Sequence, residues 1–283
     1  MSPSLVTLLG TAPPLPLLLI GALLLDMLVR RGSAKASETA LAPLEALRKR
    51  LDRSGRGERA LQIRGTIVGG IALVICAGAT AFLGRLLAGV PFGWLGELAA
   101  LAALMGARAP LDAVRRAIIA LASGSQGARA EPLARIALER LGNRFVDGPA
   151  AIFGWLLLLG PAGLGVATAG RLAGALAEGS PEAPFSRGLI GVHRTVMAPA
   201  AWVAALALLP ANLALSQGRP LAMLAAATSM PVGASAGGRA LAAGIGCATG
   251  SVAPTNLQRA ALLYGLGCIT LVALVALVVL VQG

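Results

Sequence analysis

The chain has 283 residues, of which 57% are hydrophobic and only 13% are charged, and its formal net charge is +12 at pH 7. Because a soluble domain carries about a quarter charged residues, this composition excludes an ordinary soluble protein and indicates a polytopic helical membrane protein. Aromatic residues make up only 3% of the chain, whereas nucleic-acid sites interleave stacking aromatics with basic residues. We therefore assign the positive charge to cytoplasmic loops and anionic lipid, and expect no nucleic-acid partner.

Several apolar stretches are long enough, or nearly long enough, to cross a bilayer. Five are predicted as spans, and they lie at residues 5–29, 65–90, 94–107, 196–215 and 260–281. A sixth apolar segment is interrupted by glycine and proline. The expected fold is therefore all-α, a single integral membrane domain of residues 1–283 with five or six spans that contacts the lipid bilayer.

Two segments, 30–64 and 108–148, are rich in basic residues, whereas the turn at 91–93 and both chain ends hold none. The positive-inside rule places both segments in the cytoplasm of a bacterial inner membrane and the N-terminus in the periplasm. Both are predicted to be helical. In the second segment, Pro110 and Pro132 stand where a first helical turn would begin.

The apolar segment at 149–176 follows Asp147 and is cut in two by Gly160–Pro161. Its first half of about eleven residues rises roughly 16 Å, about half of the hydrocarbon thickness. The segment is either a single kinked span or a re-entrant pair of half-helices, which membranes tolerate where protein or a cavity surrounds the break. Asp147 is a candidate ligand or general base, the alternative being an N-cap of the apolar helix.

Basic residues near the later spans are candidates for anion binding. His193 is the only histidine, so a histidine metal cluster is excluded and no metal site is predicted. Arg194 stands beside it, and Arg171 and Arg187 are close in sequence. Together these cations suit a phosphate or a lipid headgroup, the alternative being ordinary juxtamembrane basic residues.

Four stretches carry a resemblance to one protein family. Residues 137–176, ALERLGNRFVDGPAAIFGWLLLLGPAGLGVATAGRLAGAL, resemble the central region of the CobD/CbiB family, which includes AmpE-like proteins. LLIGALLLDMLVRR is similar to the family's first helix, with Asp26 at the acidic position. FSRGLIGVHRTVMAPAAWVAALALLPANL and SMPVGASAGGRALAAGIGCATG resemble two later segments. Family members are integral membrane enzymes of cobalamin biosynthesis that ligate an amino-alcohol phosphate to adenosylcobyric acid.

The resemblance implies a site and two alternative functions. It implies catalytic roles for Asp147 and Glu139, beside the candidate substrate- or anion-binding residues Arg171, Arg187, His193, Arg194 and Ser229. At the positions of Arg171, His193 and Arg194 the family pattern has acidic residues. The expected activity is an ATP-dependent, magnesium-dependent ligase like adenosylcobinamide-phosphate synthase. The alternative is a non-catalytic membrane subunit or scaffold that binds a membrane-protein partner, a second copy of itself or anionic lipid.

Overall fold

The computed structural model describes residues 15–28, 46, 50, 57–106, 108–123, 130–178, 180–215, 218–228, 240–241, 243–246 and 252–282. Ser229 and nearly all of 30–56 lie outside this set. Within it all secondary structure is helical, without a strand, so the predicted all-α class is confirmed for these residues. The helices are α1 (Leu15–Leu28), α2 (Glu58–Ala88), α3 (Gly93–Met105), α4 (Arg108–Ser123), α5 (Ala130–Phe145), α6 (Ala151–Leu159), α7 (Pro161–Glu178), α8 (Pro184–Leu213), α9 (Pro220–Thr228) and α10 (Pro254–Gln282).

Three of these helices, α2, α8 and α10, are long and apolar enough to cross a membrane, which supports the prediction of a membrane protein. Each begins before the apolar stretch that predicted it, and α8 begins at Pro184 rather than at residue 196. A spanning helix continues into the headgroup layer, where charged residues are tolerated. For the same reason the predicted loop 30–64 ends earlier than expected, since Glu58–Arg64 is the first part of α2.

The predicted basic helices at 108–148 correspond to α4 and α5, which pack against each other. Pro110 and Pro132 lie in the first turns of these helices, as their positions in the sequence indicated. In α4 the buried side chains include Val114 and Ala117, and in α5 Leu141 is fully buried. Both helices therefore present an apolar face to the core and a charged face outward.

The alternative role for Asp147, capping the start of a helix, is wrong. Helix α5 runs through a π-helical turn, Val146–Ala150, directly into α6, and no side chain caps this turn. Asp147 therefore lies inside one continuous helical segment. Pro149 has no N–H to donate, and a π turn is one way for a helix to accommodate that missing hydrogen bond without ending. Such turns are frequent at functional sites.

The chain reverses direction at Gly160, which adopts φ +57° and ψ −140°, a conformation that favours glycine. Just after this turn, Gly163 packs against the backbone carbonyl of Trp155. In a continuous helix these two residues would be roughly 12 Å apart along the axis. Helices α6 and α7 therefore form a tight antiparallel hairpin, which decides against the single kinked helix.

Helices α2 and α8 run parallel in direct backbone contact. Gly65 of α2 lies against the carbonyl of Phe185 in α8, and one turn later Gly69 lies against the side chain of Val192. The residue numbers rise together along both helices, so their amino ends are at the same end of the pair. Small residues permit this close approach, as is common between membrane helices.

Helix α7 packs antiparallel to the α2–α8 pair. Pro161, its first residue, lies beside Gly84 near the end of α2, and Gly165 lies against the carbonyl of Cys76. The tip of the α6–α7 hairpin is therefore level with the carboxyl end of α2. The carboxyl end of α7 is level with the amino ends of α2 and α8.

The outer surface of this assembly is apolar. In α2 only 6% of the most apolar window is buried inside the protein, so the face turned away from α7 and α8 must meet another apolar medium. The side chains that it exposes include Ile67, Ile71, Val74, Phe82 and Leu83. This surface is compatible with contact to the bilayer.

Candidate functional site

Helix α3 ends inside the protein, and two arginines from other helices cover its carboxyl end. Gly106 terminates the helix in the left-handed conformation, with φ +53°. The guanidinium of Arg171, from α7, donates to the carbonyl of Leu104. Nε of Arg144, from α5, donates to the carbonyl of Gly106 at 3.2 Å. The last carbonyls of a helix have no partner within it and carry partial negative charge, which cations satisfy.

Close packing against α3 explains why the residue after Asp147 is a glycine, Gly148. A Cβ atom at Gly148 would lie 2.7 Å from the carbonyl oxygen of Met105, in the last turn of α3. A Cβ at Gly106 would lie against the guanidinium of Arg144. Both glycines therefore permit the π turn to pack directly on the end of α3.

Two further polar side chains lie at this position. Asp26 of α1 is only 1% exposed and Tyr264 of α10 is fully buried. Asp26, Arg144 and Arg171 are close enough to the phenol of Tyr264 to interact with it electrostatically. Phe145 packs edge-on against the tyrosine ring, with 5.3 Å between the ring centroids. We name Asp26, Arg144, Asp147, Arg171 and Tyr264 the helix-end cluster.

The helix-end cluster joins four helices and the π turn at the end of α3. Both signs of charge are present, as burial of ionised groups in a membrane protein requires. The two arginines bind backbone carbonyls of α3, so part of their hydrogen-bonding capacity stabilises the fold. The half-buried Asp147 is on the π turn beside Gly148, whereas Glu139 is exposed and lies two turns earlier.

No family model, curated protein or solved structure matches the chain.

His193 makes a second internal contact between helices. Its Nδ1 lies 2.8 Å from the backbone carbonyl of Gly170, and its ring fills the space beside Gly174. Because a carbonyl only accepts hydrogen bonds, Nδ1 must carry the hydrogen and donate it. His193 is buried, at 4% exposure, so it joins α8 to α7 rather than facing solvent.

The remaining predicted anion-binding residues lie apart from the helix-end cluster. Arg187 and Arg194 are exposed on the outer face of α8, whereas Arg171 is directed toward α3. The structure therefore does not bring the predicted cations into one site. Ser229 lies outside the described residues.

The residues at the helix-end cluster do not fit the magnesium–ATP site that the family resemblance implies. Two guanidinium groups lie at this position, and like charge disfavours a bound cation. Glu139 lies roughly 12 Å along the helix from Asp147, so these two carboxylates do not converge. Among the described residues, no three His, Cys, Asp or Glu side chains come close enough to hold a metal ion.

The sequence points to Asp26, Asp147 and Arg171, but not to Arg144 and Tyr264 beside them. In the sequence Arg144 is one of several arginines of the basic segment 108–148, although it lies on α5 one helical turn before Asp147. Tyr264 is the only tyrosine of the chain and lies within an apolar span. An isolated polar ring in such a span is a signal that could have identified it, because buried tyrosines need polar surroundings.

Proposed function

We propose that the protein crosses the membrane five or six times, with the α6–α7 hairpin entering from the side on which α2 and α8 begin. The antiparallel packing of α7 supports this arrangement, since it aligns the carboxyl end of α7 with the amino ends of α2 and α8. Arg59, Arg64 and Arg187 lie at that end, whereas Arg85 lies at the other. By the positive-inside rule the arginine-rich end faces the cytoplasm of a bacterial inner membrane, and the N-terminus is periplasmic.

Cysteine labelling tests this topology. In a variant whose three native cysteines are replaced, we expect single cysteines at Arg53, Gln126 and Ser180 to react only from the cytoplasmic side. A cysteine at Gly89 should react only from the periplasmic side. Periplasmic labelling at Arg53 or Gln126 would reverse the orientation, and opposite accessibility of Gln126 and Ser180 would exclude a re-entrant hairpin.

The function that the geometry supports best is that of a non-catalytic membrane subunit or scaffold, a divergent relative of CobD/CbiB-like proteins. One observation carries this proposal. At two positions where the family pattern has acids, this chain has side chains that donate to backbone carbonyls of neighbouring helices, Arg171 to Leu104 and His193 to Gly170. These contacts stabilise the packing of α3, α7 and α8, and they replace groups that a ligase would use to hold magnesium.

A second candidate function is the ligase itself, in which an amino-alcohol phosphate is joined to adenosylcobyric acid at the expense of ATP. Its support is the buried carboxyl of Asp26 and the half-buried Asp147 at the helix-end cluster. Turns of π-helix are frequent at functional sites, and carboxylates within membrane segments often have functional roles. In that case Asp147 would be a catalytic residue.

Ligation by the purified full-length protein distinguishes the two functions. With adenosylcobyric acid, the amino-alcohol phosphate, ATP and magnesium, we expect no amide product above background. We expect Asp147→Ala to lower the yield of monodisperse protein, because Asp147 lies where the π turn packs on α3. Robust turnover that Asp147→Ala abolishes, in a variant that still purifies normally, would establish the ligase instead.

A further inference from the structure

The outer face of α8 carries two arginines with an open position between them. Arg187 and Arg194 are exposed, and they are separated by two helical turns on one face. Gly191 lies between them, and a Cβ atom there would meet nothing within 4 Å. We propose that Arg187 and Arg194 bind the phosphate of one anionic phospholipid headgroup. The site depends on the membrane embedding that the proposed function includes, but not on the scaffold role.

The uncharged stretch of α2 shows how deep in the bilayer this site lies. The stretch between Arg64 and Arg85 has no charged side chain and is roughly 30 Å long, which matches the hydrocarbon thickness. Gly65 lies against Phe185 at the start of α8. Arg187 is therefore level with the beginning of this uncharged stretch, where lipid phosphates and glycerol groups lie.

Arg194 lies deeper than Arg187. Val192 contacts Gly69 of α2, so the Cα of Arg194 is roughly 10 Å inside the uncharged stretch. A lipid-facing guanidinium at that depth must extend to the interface or bind an anion. Within the described part of the chain, neither Arg187 nor Arg194 has an ion-pair partner.

The side chain of Arg194 leans toward Arg187, which brings their two guanidinium groups together. Helical side chains lean toward the amino end of their helix, which for α8 is the end at the interface. The side chain of Arg194 can therefore extend along α8 over Gly191, where no side chain blocks it. Both guanidinium groups then approach the same headgroup level, with the planar donor geometry that suits phosphate oxygens.

Apolar side chains beside this face suit the acyl chains of the same lipid. Further along α8, Trp202 is 57% exposed and Leu206 is 63% exposed. They lie roughly 80° and 120° around the helix from Arg194, on the exposed surface that borders the arginine face. A phospholipid can thus bind with its phosphate at Arg187 and Arg194 and its chains against the adjacent surface at Trp202 and Leu206, which a free phosphate cannot do.

Native mass spectrometry of the full-length protein, released from nanodiscs containing phosphatidylglycerol and phosphatidylcholine, tests this site. We expect the protein to retain phosphatidylglycerol preferentially, and Arg187→Gln/Arg194→Gln to weaken that retention about tenfold or more. Arg85→Gln, which removes an exposed arginine from the other end of α2, should retain as much lipid as the unchanged protein. Inorganic phosphate at millimolar concentration should not displace the bound lipid.

Several results would overturn the proposal. Equal retention of the two lipids, or equal losses in the double variant and in Arg85→Gln, would show only general attraction between charges. Displacement by inorganic phosphate would assign the arginines to a soluble phosphate ligand. Should the double variant not fold, the single variants Arg187→Gln and Arg194→Gln are measured, and unchanged retention in both would reject the site. A protein that does not fractionate with membranes would instead contradict the proposed membrane function.

Discussion

Gly65→Ala is expected to destabilise the protein by about 2 kcal/mol or more, because the new Cβ atom has no space to occupy. It would collide with the backbone carbonyl of Phe185, and Gly188 of the same helix is also close. A flexible side chain can move away from such a collision, but a helical carbonyl cannot. Helices α2 and α8 would have to separate, and their contact is among the most extensive in the protein. The measurement is the thermal unfolding midpoint of the purified protein in detergent.

Gly78→Ala is the matched control, because it makes the same change in the same helix. A Cβ atom at Gly78 meets nothing within 4 Å, and alanine is favoured over glycine inside a helix by about 0.5–1 kcal/mol. We therefore expect Gly78→Ala to leave the unfolding midpoint unchanged or to raise it. If both variants behaved alike, the close parallel contact between α2 and α8 would be wrong.

Arg171→Met should destabilise the protein by about 2–4 kcal/mol, since it removes a donor and a charge from the helix-end cluster. The carbonyl of Leu104 would lose the guanidinium that donates to it. Asp26 would remain near Tyr264, with one arginine fewer in the same buried cluster. Arg171→Lys should cost less, because the lysine keeps the charge but lacks the planar donor geometry.

Unfolding of the detergent-solubilised variants, followed by tryptophan fluorescence, provides the measurement. Arg85→Met is the control, because Arg85 is exposed at the end of α2 and surface changes usually shift stability by less than about 0.5 kcal/mol. If Arg171→Met were as stable as the control, Arg171 would have no structural role at α3. Loss of phosphate-ligand binding in that variant would then support the anion-binding role predicted from the sequence.

The membrane class and the approximate positions of the long helices were predictable from composition and hydropathy. Apolar runs identified α2, α8 and α10, and proline positions identified the starts of α4 and α5. The helix bounds were less predictable. The starts of α2 and α8 carry charged residues that extend beyond the apolar runs, and hydropathy does not detect them.

The local conformation at Asp147 and Gly160 could not be decided from neighbouring residues alone. An aspartate before Gly-Pro is typical of a helix start, yet the chain continues through a π turn, in which Gly148 packs on the end of α3. Gly160–Pro161 is compatible with a kink or with a reversal. The contact between Gly163 and Trp155 decides for the reversal.

The candidate site was only partly predictable. Asp147 and Arg171 were selected from the sequence, and both belong to the helix-end cluster. Tyr264, more than ninety residues further along the chain, joins them only because α10 packs beside the end of α5. Arg187 and Arg194 were predicted to bind with Arg171, but they face outward from α8.

The sequence by itself determined that this chain is a helical membrane protein, and its arginine pattern predicts which end of the bundle faces the cytoplasm. These properties depend on the sum of many residues, because hydrophobic transfer and attraction to anionic lipid add along the chain. Only the tertiary structure decided that Arg144 and Arg171 cover the end of α3 and that α6 and α7 reverse at Gly160. Such features depend on a few contacts between helices distant in sequence, and on glycines whose missing side chains permit them.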